Sequence, residues 1–207
     1  LLNAKLPGVK VFRAIFFIPS IAGVIGIYLI WRQIFNATVG WLNYLLTEAL
    51  PGDTKIQWLS DQDTAHLSIV IVFAWMTCGF NTVLFLAGMQ GIDGSLYEAA
   101  DIDGASAWNR FRSITVPLLK PTTVFVVTNA TILALQLFNE PFILQAPSPP
   151  NGPNNATLSP VIYLYQNAFQ RFRQGYASAV AWALFALIFA ITLIYFSRQD
   201  DEGVLSA

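Results

Sequence analysis

The fold class this sequence predicts is an all-α, polytopic membrane helix bundle with about four transmembrane helices. Of 207 residues, 55% are hydrophobic and only 11% charged, where a soluble domain carries roughly 25% charged residues. The charged positions also leave four long uncharged runs: 18 residues after Arg13, 29 after Asp63, 19 after Lys120 and 24 after Arg173. About 20 apolar residues cross a bilayer, because about 30 Å of hydrocarbon is climbed at 1.5 Å per residue. The same composition excludes a disordered chain. A lone Cys78 excludes a disulfide scaffold. Eleven Lys+Arg against twelve Asp+Glu leave a net charge of -1, with no basic excess for nucleic acid.

The first span is read as 13–35, its run extended past Arg32, whose long side chain can snorkel. Leu1–Lys5 reads as the tail of an earlier helix. Residues 36–65 follow as a loop with a short amphipathic helix: Leu42, Leu45, Leu46, Ala49 and Leu50 recur at helical spacing opposite Asn43, Thr47 and Glu48, and Pro51-Gly52 ends it. It either lies in the membrane interface, anchored by Trp41 and Tyr44, or packs against the rest of the protein.

The second span is 66–90, with Asn81 as a polar residue inside it. The third is 116–139, the fourth 174–197. Between the last two, Pro141, Pro147, Pro149, Pro150, Pro153 and Pro160 place six of eleven prolines in twenty residues. No helix is expected at that density, and irregular backbone is too costly in lipid, so 141–160 reads as an extramembrane loop. Residues 161–173 carry Tyr163, Tyr165, Phe169 and Phe172 and read as a second helix leading into span four. Its aromatics are either an interface belt or a ligand platform.

Lys and Arg set the orientation. Lys5, Lys10, Arg13, Arg110, Arg112, Lys120 and Arg198 fall on one side, and Arg32, Lys55, Arg171 and Arg173 on the other. The first side is expected to be cytoplasmic.

The cytoplasmic stretch 93–121 reads DGSLYEAADIDGASAWNRFRSITVPLLKP. Ser95 and Glu98 fit a capping box opening a helix over 96–103. Gly104 suits a left-handed position after it. A second helical segment is expected from Ala105 to about Ser113. Pro117 and Pro121 then sit near the start of span three, Pro121 a turn deeper. A helix, a bend and a helix between two spans fit either a docking element or a membrane-lying connector.

Catalytic machinery is not expected. His66 is the only histidine, with no carboxylate cluster beside it and Cys78, so no metal site is read. No phosphate-binding Gly-x4-Gly-Lys-[Ser/Thr] occurs, and the span centres hold no Asp or Glu for a proton relay. No cofactor is expected in this chain. In span three Thr122, Asn129 and Gln136 recur every seven residues, within about 40° of one another on a helix. Thr128 and Asn139 extend that side. These amides either line a pathway or bond neighbouring helices. Ala179, Ala183, Ala186 and Ala190 form a small-residue seam for close helix packing in span four.

One motif narrows the reading. Glu98-Ala99-Ala100, three residues, Gly104, nine residues and Ile114-Thr115-Val116-Pro117 resemble E-A-A-x3-G-x9-I-x-L-P, with Val116 for Leu. That motif marks the membrane subunits of binding-protein-dependent ABC importers. Phe16–Pro19, Ile30–Arg32, Gly40–Asn43, Leu86–Ile92 and Gly175–Ala179 resemble the carbohydrate-uptake branch, in its maltose-type and glycerol-3-phosphate-type first permease. The Pro-rich loop 145–157 departs from the branch, which usually has a Gly-rich turn there.

The resemblance implies one permease domain over 1–207, usually six helices with the first two preceding residue 1, and a coupling loop over about 93–117. Glu98, Ala99, Ala100, Asp103, Gly104, Ile114 and Pro117 would contact an ATPase. Asn129, Gln136, Asn139 and Asn81 are the pathway candidates for a sugar or polyol-phosphate-like solute. It also implies a second permease subunit, two ATP-binding subunits, an extracytoplasmic solute-binding protein and a prokaryotic inner membrane. The rival expectation is a membrane enzyme or scaffold without transport.

Overall fold

A computed structural model describes residues 23–49 and 55–200, with side chains to Ser197. Among the described residues the secondary structure is helical and contains no strand. The helices, in chain order, are α1 Val24–Ile34, α2 Trp41–Ala49, α3 Gln62–Gln90, α4 Gly94–Ile102, α5 Ala107–Leu118, α6 Lys120–Leu135, α7 Asn139–Leu144, α8 Pro160–Tyr165 and α9 Gln174–Asp200. Two compact units emerge. One is Cys78–Thr131 with the end of α9 from Ala190; the other is the described part of Ile21–Thr77 with Ile132–Phe189.

Among the described residues, two unbroken helices are long and apolar enough to cross a membrane: Gln62–Gln90, mean hydropathy 2.1, and Gln174–Ser197, mean hydropathy 2.4. These are the second and fourth expected spans. The second starts four residues before its expected boundary, because Asp61 caps it: its Oδ1 accepts the Asp63 amide at 3.0 Å. Of the first span only 23–35 is described, nearly all of it α1, an 11-residue helix that is apolar but for Arg32 and Gln33. Its part over 13–22, with Phe16–Pro19, lies outside the described residues, as do Leu1–Lys5 and Pro51-Gly52.

The third span differs from its expected 116–139. Apolar helix runs from Ala107 to Leu118, bends by 62°, and resumes from Lys120 to Leu135. Residues 111–115 form a π-turn in which the Val116 amide reaches the Phe111 carbonyl. Pro117 explains the wide turn: it has no N–H for Ser113, and its ring would crowd that carbonyl in an α-turn. Pro121 stands in the first turn of α6, where a missing N–H costs nothing. So the second loop segment does not stop near Ser113 but runs into the membrane helix.

A second correction concerns 141–160. Asn139–Leu144 is helical, so the loop begins only after it. Pro141 is tolerated because it sits in that helix's first turn. Beyond it, Gly152 (φ 66°), Asn154 (φ 49°) and Asn155 (φ 61°) take left-handed conformations. The Thr157 amide closes the turn on Asn151 O at 3.0 Å.

The unit containing α1 and α7 has a clear core. Tyr28, Phe35, Ile69, Val72 and Leu144 are buried together. Trp31 stacks against Phe35 at 5.3 Å and meets Trp75 edge-on at 5.4 Å. On α3, Ala65, Ser68, Ile69 and Val72 form the buried stripe, at helical spacing. Tyr165 packs against Phe138, Phe142 and Phe169 at 5.3, 5.5 and 5.3 Å. It is the centre of an aromatic cluster whose Phe142 and Phe169 are exposed.

The amphipathic reading of α2 is inverted at one position. Asn43 is 3% exposed while Leu45 is 58% exposed. Asn43 turns inward because all its hydrogen-bonding capacity is used there: Nδ2 donates to Ala37 O and Ile56 O, and Oδ1 accepts from Trp58 Nε1 (2.9 Å) and Ile56 N. A satisfied amide costs little to bury.

Of the expected alanine seam of α9, Ala179, Ala183, Ala186 and Ala190 are all exposed among the described residues.

Candidate functional site

The loop between α3 and α6 lies wholly in one unit. Its first helix is capped differently from expectation. Asp93, not Ser95, is the N-cap, and its Oδ1 accepts the Ser95 amide at 2.9 Å. A carboxylate outcompetes a hydroxyl because it bonds the orphan amide with full charge at the positive end of the helix dipole. That backbone N–H, with the Ser95 hydroxyl second, holds the Asp93 carboxyl below its ordinary range. The helix therefore starts at Gly94, two residues before the expected Leu96.

Its far end is a Schellman motif. The Ala105 amide reaches Ala100 O at 2.9 Å and the Gly104 amide reaches Asp101 O at 3.1 Å, with Asp103 as C-cap. Gly104 has φ 70°, and a Cβ there would meet nothing within 4 Å. Glycine is thus required by backbone conformation and not by crowding within the chain.

Ser106 caps α5 by accepting the Asn109 amide at 3.3 Å. Two side-chain links close the elbow: Arg110 pairs with Asp101, and Tyr97 Oη meets Thr115 Oγ1 at 2.8 Å. The ion pair is exposed and contributes little alone. The Tyr97–Thr115 link reaches a buried hydroxyl and ties α4 to the π-turn. Sequence reading missed both, since each joins residues 9 or 18 apart around a bend.

Glu98, Ala99, Asp103, Gly104 and Pro117 are exposed, and Ala100 and Ile114 half-buried. Around them stand bare apolar groups: Ile102 is 87% exposed and Trp108 66%, with Phe111 and Leu96 also exposed. Trp108 and Phe111 pack on each other at 5.7 Å. A rigid elbow with small residues and uncovered apolar side chains is shaped for another surface.

The polar arc is placed more loosely. Thr122 and Asn129 lie on α6, Gln136 just past its last residue, and Asn139 opens α7 beyond a break. The Gln136 amide still reaches Ile132 O at 3.2 Å. Thr122 faces helix α3: a Cβ on Gly88 would come within 2.5 Å of its Oγ1. The Thr128 hydroxyl is buried without a partner. Asn81 lies within α3 and Asn129 is half-buried.

Sequence reading also missed a buried carboxylate. Glu140, beside Asn139, accepts from the Tyr28 hydroxyl at 2.7 Å, joining α7 to α1. In the sequence it marks only the end of a charge-free run, and its partner lies 112 residues away. Among the described residues, no group of three or more His, Cys, Asp and Glu could hold a metal ion.

Comparison with known proteins identifies the family. Residues 9–199 match the family described as "Binding-protein-dependent transport system inner membrane component". The chain is 37% identical over 195 residues to the trehalose/maltose transport system permease protein MalF of Thermococcus litoralis, covering 94% of this chain and 64% of that protein. It is 33% identical over 202 residues to the lactose transport system permease protein LacF of Rhizobium radiobacter, covering 97% of this chain and 66% of that one. The chain thus spans just under two thirds of the length of these relatives. A chain of a bacterial alginate ABC transporter, crystallised with an alginate pentasaccharide-bound periplasmic protein, superposes with a TM-score of 0.83 at 20% identity, over 96% of this chain and 68% of that one. The relatives are permeases, transport subunits rather than enzymes. With the match running through nearly all of its helices, the chain belongs to the binding-protein-dependent transport system inner membrane components, multi-pass proteins of the inner membrane.

Proposed function

We propose that this chain is the permease subunit of an ATP-driven importer for a sugar or a related polyol or glycerol-phosphate solute. It forms half of the pathway, beside a second permease subunit. Of two ATP-binding subunits, one docks on the cytoplasmic loop 93–117, and an extracytoplasmic solute-binding protein delivers the solute. The observation that carries the reading is the elbow itself: the family's motif residues Glu98, Ala99, Ala100 and Gly104 fall on one short helix and its left-handed cap, ringed by uncovered Ile102, Trp108 and Phe111. Relatives named for lactose and trehalose/maltose support the solute class.

The geometry supplies a mechanism. Closure of the ATPases displaces α4. The Schellman bend, the Tyr97–Thr115 link and the Arg110–Asp101 pair keep the elbow stiff, so the displacement passes to α5. The 62° bend at Leu119 turns it into movement of α6, which carries Asn129. Asn129, Gln136, Asn139 and Asn81 offer amides that can exchange hydrogen bonds with solute hydroxyls, and no covalent chemistry is asked of this chain.

The test is purification of the full transporter with its solute-binding protein. Thermal-shift screening of the binding protein against sugars and glycerol phosphates comes first, then uptake of the hit into proteoliposomes. ATP-dependent uptake of a stabilising sugar is expected. A permease that purifies without an ATPase and transports nothing contradicts the reading.

A further inference from the structure

The unit containing α1 and α7 opens into a cleft of about 690 Å³ between the end of α1, residues 57–60 and the loop 144–153. Sites for small organic molecules run about 300–1,000 Å³. None of Asn81, Asn129, Gln136 or Asn139 lines it.

Its charge balance is one-sided. Arg32 enters from the last turn of α1, anchored by Nη1 on Ala146 O at 3.1 Å. A guanidinium has five N–H donors in a fixed fork, so this anchor orients the group and leaves further donors. Gln145 lines the cleft, is 5% exposed, and its Nε2 has no partner. Two of its acceptors are already committed. Asn36 Oδ1 takes the amides of Thr38 and Val39 and the Thr38 hydroxyl. Gln57 O takes the Ser60 and Asp61 amides and the Thr64 hydroxyl. No Asp or Glu lines the cleft. Glu140, one helix away, is buried on Tyr28.

One fixed cation, an unpartnered amide N–H group and no carboxylate fit an acceptor-only, negatively charged group, and the planar fork matches a carboxylate. Trp58, half-buried in the wall, adds an aromatic surface against which a ring can lie. The wall itself is built close: a Cβ on Gly152 would stand 3.3 Å from Gln145 Nε2 and 2.5 Å from Thr157 Oγ1. We propose that this cleft is a binding site for an acidic sugar, with its carboxylate on Arg32 and Gln145. Under the orientation of the proposed function, on which the physiological role rests, it lies on the extracytoplasmic side.

The experiment uses the full permease with its partner subunits, in nanodiscs of zwitterionic lipid and without the solute-binding protein. Binding of D-glucuronate is measured by calorimetry, with D-glucose and acetate as controls. Saturable glucuronate binding is expected, at least about tenfold tighter than glucose, because the charge-assisted bonds need the carboxylate. Arg32→Gln and Gln145→Glu should each weaken it at least about tenfold. Ser148→Glu, at an exposed lining residue, should do the same by repulsion without touching the fold, whereas Asn129→Leu should leave it unchanged. Equal binding of glucose, no saturable binding, or full affinity in Ser148→Glu overturns the proposal. Loss of glucuronate binding when phosphatidylglycerol is added overturns it too, by assigning the cleft to a lipid headgroup. The result is independent of ATPase co-purification, so its failure and that of the importer reading are told apart.

Discussion

Replacing Gly104 by leucine separates two accounts of the loop. Within this chain the change meets no obstacle, since a Cβ at Gly104 has nothing within 4 Å. The whole internal cost is conformational. Holding a non-glycine residue at φ 70° costs about 1–2 kcal/mol, and the exposed elbow can absorb it. If the loop is only a connector, Gly104→Leu leaves assembly and ATP hydrolysis almost unchanged. If an ATPase subunit sits against the elbow, the leucine stands between two surfaces, and the strained cap is free to swing α5 away from its docked angle. A loss of 1.4 kcal/mol is tenfold in affinity, so strain and intrusion together should reduce ATPase co-purification by more than about tenfold. Gly104→Asn is the control, because asparagine tolerates the left-handed region; it should keep most of the coupling. The assay is substrate-stimulated ATP hydrolysis in proteoliposomes, alongside the amount of ATPase retained on tagged permease. Normal retention and normal stimulation in Gly104→Leu, with the protein inserted, would refute the docking argument.

Other substitutions probe the remaining contacts. Gly88→Leu should destabilise the permease by about 1–3 kcal/mol through overpacking, because even a Cβ there falls 2.5 Å from Thr122 Oγ1 and 3.0 Å from Leu119 Cδ2; a lowered melting temperature checks it, and an unchanged one argues against this packing. Asn129→Leu and Gln136→Leu should reduce uptake while the subunit still assembles, and normal transport in both would make the arc mere packing. In a Cys78→Ala background, a cysteine at Asn154 should react with an impermeant thiol reagent from outside intact cells and one at Asn109 should not, the opposite result reversing the orientation. The Asp93 cap has a definite pH sign: its carboxyl is held below the ordinary value of 3.8, so its contribution is complete above that value and fades as pH falls through the lowered one. Amide exchange at Ser95, corrected for intrinsic rate, should be flat between about pH 5 and 8 in consequence, and a protection change within that window would contradict the assignment.

The long elements were legible because lipid leaves little choice. A run of 24 uncharged residues such as 174–197 has to be helical, since every backbone group must bond within its own segment. The same uniformity hid the packing. Ala65, Ser68, Ile69 and Val72 are no more apolar than their neighbours, so nothing in the pattern marked them as the buried stripe of α3. Backbone signals read correctly where one residue sufficed: Gly104 reached its left-handed position. They failed where two residues competed, as at Asp93 and Ser95, whose cap was decided by carboxylate strength. Asn43, Glu140 and Gln145 were invisible as inward-facing groups because their partners or neighbours lie in other segments. The motif positions Glu98 and Ala99 were found, but their surroundings, the bare Ile102 and the Tyr97–Thr115 link, needed coordinates.

The central claim is that the elbow meets an ATP-binding subunit, and the most direct measurement is a photocrosslink from Ile102, the most exposed apolar side chain of the loop. A photoreactive residue at that position in the full-length permease, illuminated in membranes, should join the permease to an ATP-binding protein. The yield should fall when Gly104→Leu is added. Crosslinking to lipid alone, or an ATPase yield untouched by Gly104→Leu, would contradict the account.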